Sequence, residues 1–275
     1  MKCFERLVLS HIKVTIPTIL DSHQFAYKAN KSAEDAISFA LHTVLTHLEG
    51  KGRYMRMLFV DYHSAFNTVI PSKLISKLHQ LGLSSSLCNW VLNFLSELSQ
   101  SVRLGPHLNS TTILNTGMLQ GCILSPILWS LFAYNYVPVF NTNTIVKFTD
   151  DTTEIGLISN RDKSAYRTEV QNLVSWCSEN NLSLNTAKTK ELIINFGKSQ
   201  DDEYAPVFIN GDTVERVSSF RFLGIHISED LTWSTNTTTI VKKAQQRLFF
   251  LRTLKTAGLP EQMLVTFNRC TLESI

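Results

Sequence analysis

Two short apolar stretches that each end on a carboxylate constrain this chain more than any other feature. Met57–Tyr62 carries Asp61 directly after four apolar residues, and Ile145–Thr153 surrounds Asp150 and Asp151 with β-branched and aromatic residues. Both stretches have the length and composition of buried strands. Burying a carboxylate at the end of such a strand costs free energy unless a positive group lies beside it. Three carboxylates placed together also repel one another, and a bound divalent cation usually neutralises them. The pattern therefore predicts a sheet with an Mg²⁺-type oxygen site, although an isolated Asp-Asp pair more often lies in a solvated turn.

Composition limits the class of protein without selecting one. The chain has 275 residues, 44% of them hydrophobic, which is enough for one large core or two to three small ones. A net charge of +3 neither requires nor excludes a nucleic-acid partner. No stretch approaches the ~20 apolar residues that span a bilayer, and no signal-peptide core is present. Five scattered cysteines without a C-x-x-C motif indicate reduced thiols, so we expect a soluble intracellular protein.

Helical and strand patterns alternate along the chain. Apolar residues at helical spacing predict helices, and β-prone runs separated by glycine, proline or asparagine predict hairpins. The predicted helices are 35–48, with Ser32 as N-cap, 71–81, 87–98, 123–136 and 162–181. The predicted strands and hairpins are 101–104 with 111–115, 192–196, 207–217 turning at Asn210-Gly211, and 220–225 as a continuation of the main sheet.

Two basic segments leave alternatives open. Ile240–Gly258 carries five basic residues and no acidic one, which is typical of a phosphate-binding surface and equally of a solvated basic helix. The segment Gln24–Ser32 contains Lys28 and Lys31 between aromatic residues. It is read more simply as a loop that caps the next helix than as a phosphate-facing loop.

The motifs in their order along the chain resemble those of one enzyme family. They are Phe59–Phe66, Gln120-Gly121-Cys122, Phe148–Asp151, Asn181–Asn185 with Lys188-Thr189-Lys190, and Phe222-Leu223-Gly224. This series resembles the palm motifs of reverse transcriptases of LINE-type (non-LTR) retrotransposons and covers nearly the whole chain. The resemblance implies an α+β right-hand polymerase fold, with an antiparallel palm sheet backed by helices on one face. It further implies partial fingers over 1–55, a palm over 56–228 and the start of a thumb over 229–275.

The resemblance also assigns the chemistry. Asp61, Asp150 and Asp151 would be the catalytic, metal-binding carboxylates that hold two Mg²⁺ ions, with Mn²⁺ as an alternative. Lys188 would donate a proton to the leaving pyrophosphate, and Lys190 is a weaker candidate for that role.

The remaining assignments concern the nucleotide and the nucleic acid. Phe66 would be the aromatic gate beneath the sugar, and Gln120 with Gly121 would line the incoming nucleotide. Phe222, Leu223 and Gly224 would form the primer grip, and further primer and template contacts would come from Lys28, Lys31, Lys242 and Lys243.

The implied function is RNA-directed DNA synthesis from deoxynucleoside triphosphates on an RNA template and a DNA primer. Leu119 replaces the proline common in this family before Gln-Gly, and Thr149 replaces the usual alanine before Asp-Asp. The first fingers strands and most of a thumb are missing from the pattern, so we expect an incomplete retroelement fragment. The alternative is a vestigial or domesticated module that binds nucleic acid without polymerising.

A second resemblance covers part of the same chain. Residues from about Tyr166 to Lys255 are similar to a segment attached to the N-terminus of some AlkB-type dioxygenases. That chemistry needs a His-x-Asp pair and a distant histidine as iron ligands. None of the eight histidines is followed by x-Asp, so we exclude oxygenase activity and interpret the segment as a shared retroelement cassette.

Overall fold

The computed structural model describes residues 2–17, 20–50, 54–197 and 204–273. The chain divides into two compact units, Met1–Val217 and Ser218–Ile275. The helices are α1 Lys2–Thr15, α2 Ala33–Glu49, α3 Ala65–Thr68, α4 Pro71–Gln80, α5 Ser85–Leu95, α6 Ser125–Phe132, α7 Ser164–Glu179, α8 Ser234–Thr256 and α9 Glu261–Thr271. The strands are β1 Tyr54–Val60, β2 Leu98–Gln100, β3 Arg103–Leu104, β4 His107–Leu108, β5 Thr112–Leu114, β6 Asn143–Phe148, β7 Asp151–Ile158, β8 Lys190–Asn195, β9 Phe208–Ile209, β10 Asp212–Thr213, β11 Glu215–Val217, β12 Ser219–Phe222 and β13 Ile225–Ser228.

A five-stranded sheet in the order β11-β8-β1-β7-β6 forms the centre of the first unit. Strand β1 pairs antiparallel with β7 and β8, and β6 pairs antiparallel with β7. Only the edge strand β11 runs parallel to its neighbour among the described pairings of this sheet. Both stretches singled out in the sequence therefore lie in one sheet: the first contains the end of β1, and the second spans the turn between β6 and β7. The α+β architecture with an antiparallel palm is confirmed.

Helices lie against both faces of this sheet. All seven residues of β1 are buried, which requires cover on each side. The main apolar cluster includes Leu58 and Val60 together with side chains of α4, α5, α6 and α7. On the opposite face Met55, Met57 and Phe59 alternate with them, and α2 contacts β1, β6 and β7. The expectation of helices on one face only was wrong, because a central strand that is buried along its whole length needs cover on both faces.

Most predicted helices are present with shifted ends. Ser32 caps α2 in a reciprocal pair with Asp35, as its sequence position indicates. The fifth helix ends at Leu95 rather than at Leu98, and the sixth covers only Ser125–Phe132 of the predicted 123–136. Residues 98–114 form two nested hairpins, β2 with β5 and β3 with β4, instead of the single hairpin expected. None of the described helices is long and apolar enough to cross a membrane.

The second unit consists of a hairpin and two helices. Strands β12 and β13 pair only with each other among the described strands, so the prediction that 220–225 continues the main sheet was wrong. The basic segment lies in α8, whose only buried side chain within the described chain is Asn236. Several apolar side chains of this helix are exposed as well, among them Val241 and Leu248.

Candidate active site

Strand register brings two of the three predicted carboxylates together. Val60 and Thr152 form the last pair between β1 and β7, so Asp61 and Asp151 occupy the next position on each side, and the charge of Asp61 acts on Asp151. Directly opposed residues on antiparallel strands have Cα atoms about 4.5–5.5 Å apart. Both residues continue the strand positions that face α2, because side chains alternate along a strand. Asp150 lies in the turn that joins β6 to β7, next to Asp151.

The turn Asn185–Thr189, which is distant in sequence, is hydrogen-bonded to the backbone of Asp61. The Asn185 amide donates to the Asp61 carbonyl at 2.8 Å, and the Asp61 amide donates to Thr189 Oγ1 at 3.1 Å. These two hydrogen bonds hold the motif around Asn185 next to Asp61. Lys188 lies in this turn and is exposed. Lys190, the weaker candidate, forms an ion pair with Glu215 at 2.5 Å.

The Asp150 turn is fixed by contacts from two other elements. Thr149 has a φ of +59°, a left-handed conformation that β-branched residues rarely adopt. Its carbonyl accepts a hydrogen bond from Trp129 Nε1 at 2.7 Å, and its amide donates to Gln24 Oε1 at 3.3 Å. The Thr149 hydroxyl lies 2.5 Å from the Phe148 carbonyl and 2.9 Å from Asp150 Oδ1. The threonine that departs from the family pattern therefore finds acceptors within its own turn.

The electrostatics of this edge suit a cation. Desolvation of its carboxylate, together with the negative charges of Asp150 and Asp61, raises the pKa of Asp151, although the residue is exposed overall. Asp61 Oδ2 is buried and has no hydrogen-bond partner among the described residues. A divalent ion would stabilise both residues. It would give the buried Asp61 oxygen a positive partner, and it would favour the ionised form of Asp151. The donor set thus fits such an ion, but no three His, Cys, Asp or Glu side chains in the described ranges are already arranged as a metal centre.

The predicted nucleotide-binding residues are connected to the same edge. Phe66 packs on the buried ring of Trp129, with ring centroids 5.1 Å apart. The Met118 amide donates to the Phe66 carbonyl at 2.8 Å, which ties the segment before Gln120 to the gate position. Gln120 and Gly121 are exposed, and a Cβ at Gly121 would meet nothing within 4 Å. The turn therefore leaves open space beside the backbone.

The loop with Lys28 and Lys31 runs along the outer edge of β6. The Phe25 amide donates to the Lys147 carbonyl at 2.9 Å, which extends the sheet by one backbone segment. Lys28 Nζ donates to the Asp21 carbonyl, and burial lowers the pKa of Lys28. Lys31 Nζ lies 5.1 Å from the centroid of the Phe25 ring. In this structure both lysines contact the loop itself.

The other predicted contacts belong to the second unit. Phe222 is buried, and Leu223 and Gly224 form the tip of the β12–β13 hairpin with φ angles of +45° and +102°. Lys242 and Lys243 are exposed on α8.

Sequence reasoning missed Gln24 and Trp129. Both are 1% exposed, and both hydrogen-bond to the backbone of Thr149. The indole N–H of a tryptophan in an apolar helix needs an acceptor, which was a usable signal for Trp129. No local pattern marks Gln24, because its acceptor and donor lie 125 residues away in sequence.

Comparison with known families agrees with this geometry. A family model described as reverse transcriptase (RNA-dependent DNA polymerase) matches residues 1–227. A second model, the N-terminal region of alkylated DNA repair protein alkB homolog 8, matches residues 233–274. The second likeness therefore lies on α8 and α9, and the expectation that it begins near Tyr166 was wrong.

Curated relatives and solved structures extend the comparison. The probable RNA-directed DNA polymerase from transposon BS of Drosophila melanogaster is 24% identical over 92% of this chain and 29% of its own length. The polymerase from mobile element jockey of the same species is 23% identical over 87% of the chain and 27% of its own length. The chain thus spans under a third of these relatives.

Among solved structures, apo telomerase from Candida tropicalis truncated from the C-terminal domain has a TM-score of 0.55 at 14% identity, over 82% of this chain and 44% of that one. Telomerase from Candida albicans in complex with a telomeric RNA fragment has a TM-score of 0.53 at 16% identity, over 91% and 42%. These likenesses show a shared fold. Because the reverse transcriptase model matches most of the chain, the protein belongs to the reverse transcriptase family.

Proposed function

We propose that this chain carries the catalytic palm of an RNA-directed DNA polymerase that extends a DNA primer on an RNA template. The observation that carries the proposal is the register of β1 and β7, which sets Asp61 opposite Asp151 beside the Asp150 turn. Three carboxylates from two distant parts of the chain, at one sheet edge, suit a site for the phosphates of a nucleotide and their metal ions.

Asp61, Asp150 and Asp151 are the residues that would hold two Mg²⁺ ions, with Mn²⁺ as an alternative. When bound, such ions supply charge stabilisation for an in-line displacement at phosphorus. In that reaction the primer 3′-hydroxyl loses its proton to solvent and its oxygen forms a bond to the α-phosphorus, while the bond from the α-phosphorus to pyrophosphate breaks. The protein contributes mainly position and electrostatics, because little covalent chemistry falls to its side chains.

The remaining residues bind substrate or move a proton. Lys188, in the turn that is hydrogen-bonded to Asp61, donates a proton to the leaving pyrophosphate. Phe66 rests on Trp129 and closes the space beneath the sugar, which selects a deoxynucleotide. Gln120 and Gly121 border the incoming nucleotide.

Contacts with the primer and template are assigned to both units. The hairpin tip Leu223-Gly224 and the strand residue Phe222 before it grip the primer. Lys242 and Lys243 offer exposed charge to phosphates. Lys28 and Lys31 would also bind phosphates of the primer or template, after they release their contacts within their own loop. The alternative of a binding module without synthesis draws no support from the relatives.

A primer-extension assay tests this function. A homopolymeric RNA template with a DNA primer, the matching deoxynucleotide and Mg²⁺ should give incorporation by the wild-type chain. Asp150→Asn, which keeps the shape of the side chain but removes its charge, should reduce incorporation by at least about a hundredfold. Equal incorporation by the two proteins would remove Asp150 from the mechanism.

A further inference from the structure

The backbone of Thr149 is held at its amide and at its carbonyl by side chains that the motif pattern does not include. Trp129, from α6, donates its indole N–H to the Thr149 carbonyl at 2.7 Å. Gln24, from the loop along β6, accepts from the Thr149 amide at 3.3 Å, and its Nε2 lies 3.5 Å from the Thr149 carbonyl. Both side chains are almost fully buried, so water does not compete freely for these bonds.

The conformation held in this way is an unfavourable one. Thr149 has a φ of +59°, which costs roughly 1–3 kcal/mol for a residue with a Cβ and persists only where the surroundings over-determine it. Thr149 immediately precedes Asp150, so its backbone angles set where the Asp150 carboxylate points. Relaxation of Thr149 towards an extended conformation would rotate that carboxylate away from Asp61 and Asp151.

Each of the two side chains is itself fixed by other contacts. Gln24 Oε1 also accepts from the Ala26 amide at 3.1 Å, and the backbone beside Gln24 pairs with β6. The ring of Trp129 packs on Phe66 and on Tyr62, which follows Asp61, with centroid distances of 5.1 and 6.2 Å. The tryptophan therefore links the segment after Asp61 with the turn that carries Asp150.

We propose that Gln24 and Trp129 are positioning residues that clamp the backbone of Thr149 and so fix Asp150 for metal binding. This inference rests on the proposed function for its consequence in catalysis, but the clamp itself is a property of the metal-free protein. The loop that carries Gln24 thus has a structural role at the Asp150 turn, in addition to the phosphate contacts that the resemblance assigns to Lys28 and Lys31.

Hydrogen exchange and manganese binding test the clamp without relying on synthesis. Gln24→Met keeps the volume and removes the two hydrogen bonds to Thr149 together with the one from Ala26. Trp129→Phe keeps an aromatic ring and removes the N–H. In metal-free protein, each should accelerate amide exchange in 147–152. Each should also weaken Mn²⁺ binding, measured by electron paramagnetic resonance of the free ion, by about fivefold to tenfold, the equivalent of one lost hydrogen bond. The double variant should lose more than the product of the two single effects, because both side chains hold the backbone of one residue, Thr149.

Two control variants separate positioning from general stability. Ser130→Ala removes a hydroxyl that bonds to Pro126 O within α6, next to Trp129. His23→Ala removes a ring that bonds to Ile145 O and docks the same loop without reaching the turn. Both should keep wild-type exchange in 147–152 and wild-type Mn²⁺ affinity, and urea unfolding of all variants measures any global loss.

The outcomes distinguish the two proposals. Wild-type exchange and wild-type Mn²⁺ affinity in Gln24→Met and Trp129→Phe would overturn the clamp, even if synthesis falls. If Trp129→Phe does not fold, Gln24→Met decides alone. Absence of incorporation by the wild type would count against the proposed function, while the exchange and Mn²⁺ measurements would still decide the clamp.

Discussion

At the scale of single residues, the site depends on backbone conformations that most side chains avoid. Thr149 precedes a predicted catalytic carboxylate with a positive φ, and Gly117 adopts a φ of +98° beside the gate segment. Glycine is suited to the second position, because a Cβ at Gly117 would meet the Asn67 Cα and carbonyl oxygen at 3.0 and 3.1 Å. Both segments therefore depend on a left-handed backbone conformation, which costs a threonine free energy and a glycine almost none.

Gly117→Ala should destabilise the protein and impair synthesis together. The added methyl group would push the backbone of Asn67 and stretch the hydrogen bond from the Met118 amide to the Phe66 carbonyl. We expect a loss of about 1–3 kcal/mol in urea unfolding. Gly121→Ala is the matched control, since its φ of +79° is equally left-handed but its Cβ meets open space. Equal losses in the two variants would show that contact with Asn67 contributes nothing.

Asp151→Asn should stabilise the metal-free protein at neutral pH. Desolvation and the charges of Asp150 and Asp61 raise the pKa of Asp151 in the folded state. Below the pKa that Asp151 has in the unfolded chain, the carboxyl is protonated in both states and costs no stability. As the pH rises through its higher pKa in the folded protein, the carboxyl must ionise there, and the free energy of unfolding falls. The gain should stay below about 1 kcal/mol, because solvent screens an exposed carboxylate.

Thermal melts in a chelator measure this effect. The difference between Asp151→Asn and wild type should shrink as the pH is lowered, and added Mg²⁺ should stabilise the wild type more than the variant. A pH-independent difference would contradict the electrostatic explanation.

At the scale of elements, strand pairing rather than helix packing defines the site. Strand β1 is the centre of the sheet and brings Asp61 beside the β6–β7 turn on one side and the Asn185–Thr189 turn on the other. Below this edge, a buried ion pair joins β1 to β8, with Arg56 Nη1 3.0 Å from Glu191 Oε1. The pair thus anchors the two strands that lead to Asp61 and to Lys188.

Arg56→Met should be strongly destabilising, because it leaves Glu191 buried without its cation. Desolvation already raises the pKa of Glu191, and loss of Arg56 removes the charge that opposes this rise. We expect a cost of about 3 kcal/mol at pH 7.5 and a smaller cost at pH 5, where the carboxyl is more readily protonated. Urea unfolding at the two pH values measures both. The double variant Arg56→Met with Glu191→Gln should recover part of the loss at pH 7.5, and no recovery would contradict the electrostatic account.

At the scale of the whole molecule, the predicted functional residues are divided between two units. The carboxylates, Phe66, Gln120 and Lys188 lie in Met1–Val217, while the hairpin tip and the basic helix lie in Ser218–Ile275. The first unit carries the proposed chemistry, and the second offers exposed positive charge. Binding of nucleic acid and catalysis should therefore respond to different substitutions.

Lys242→Ala should weaken binding to a primer–template duplex without regard to sequence. Removal of one phosphate contact lowers the slope of log affinity against log salt by about 0.9, and Lys243→Ala should do the same. Arg167→Ala is the control for charge, since this exposed residue lies on α7, which packs against the main sheet. Fluorescence anisotropy across a salt series measures the slopes. Asp150→Asn should bind with the wild-type slope, and an unchanged slope in both lysine variants would contradict a role for α8.

Features that depend on interactions between sequence neighbours could be predicted from the sequence, and features that depend on residues distant in sequence could not. The carboxylate-bearing strands, the Ser32 cap and the Asn210-Gly211 turn depend on neighbours in the chain, and the structure contains all three. The separate β12–β13 sheet was missed, because a β-prone run does not specify its partner. The residue roles assigned through the family resemblance stay predictions until the variants are measured.

The sequence by itself determined that Asp61 and the Asp150–Asp151 pair end apolar strands, since periodicity and residue type are local properties of the chain. Only the tertiary structure decided that β7 pairs with β1 in the register that opposes Asp61 to Asp151, because strand pairing is selected by the packing of whole faces. It also decided that Gln24 and Trp129 hold Thr149. A hydrogen bond between residues 125 positions apart has no signature in the sequence near either of them.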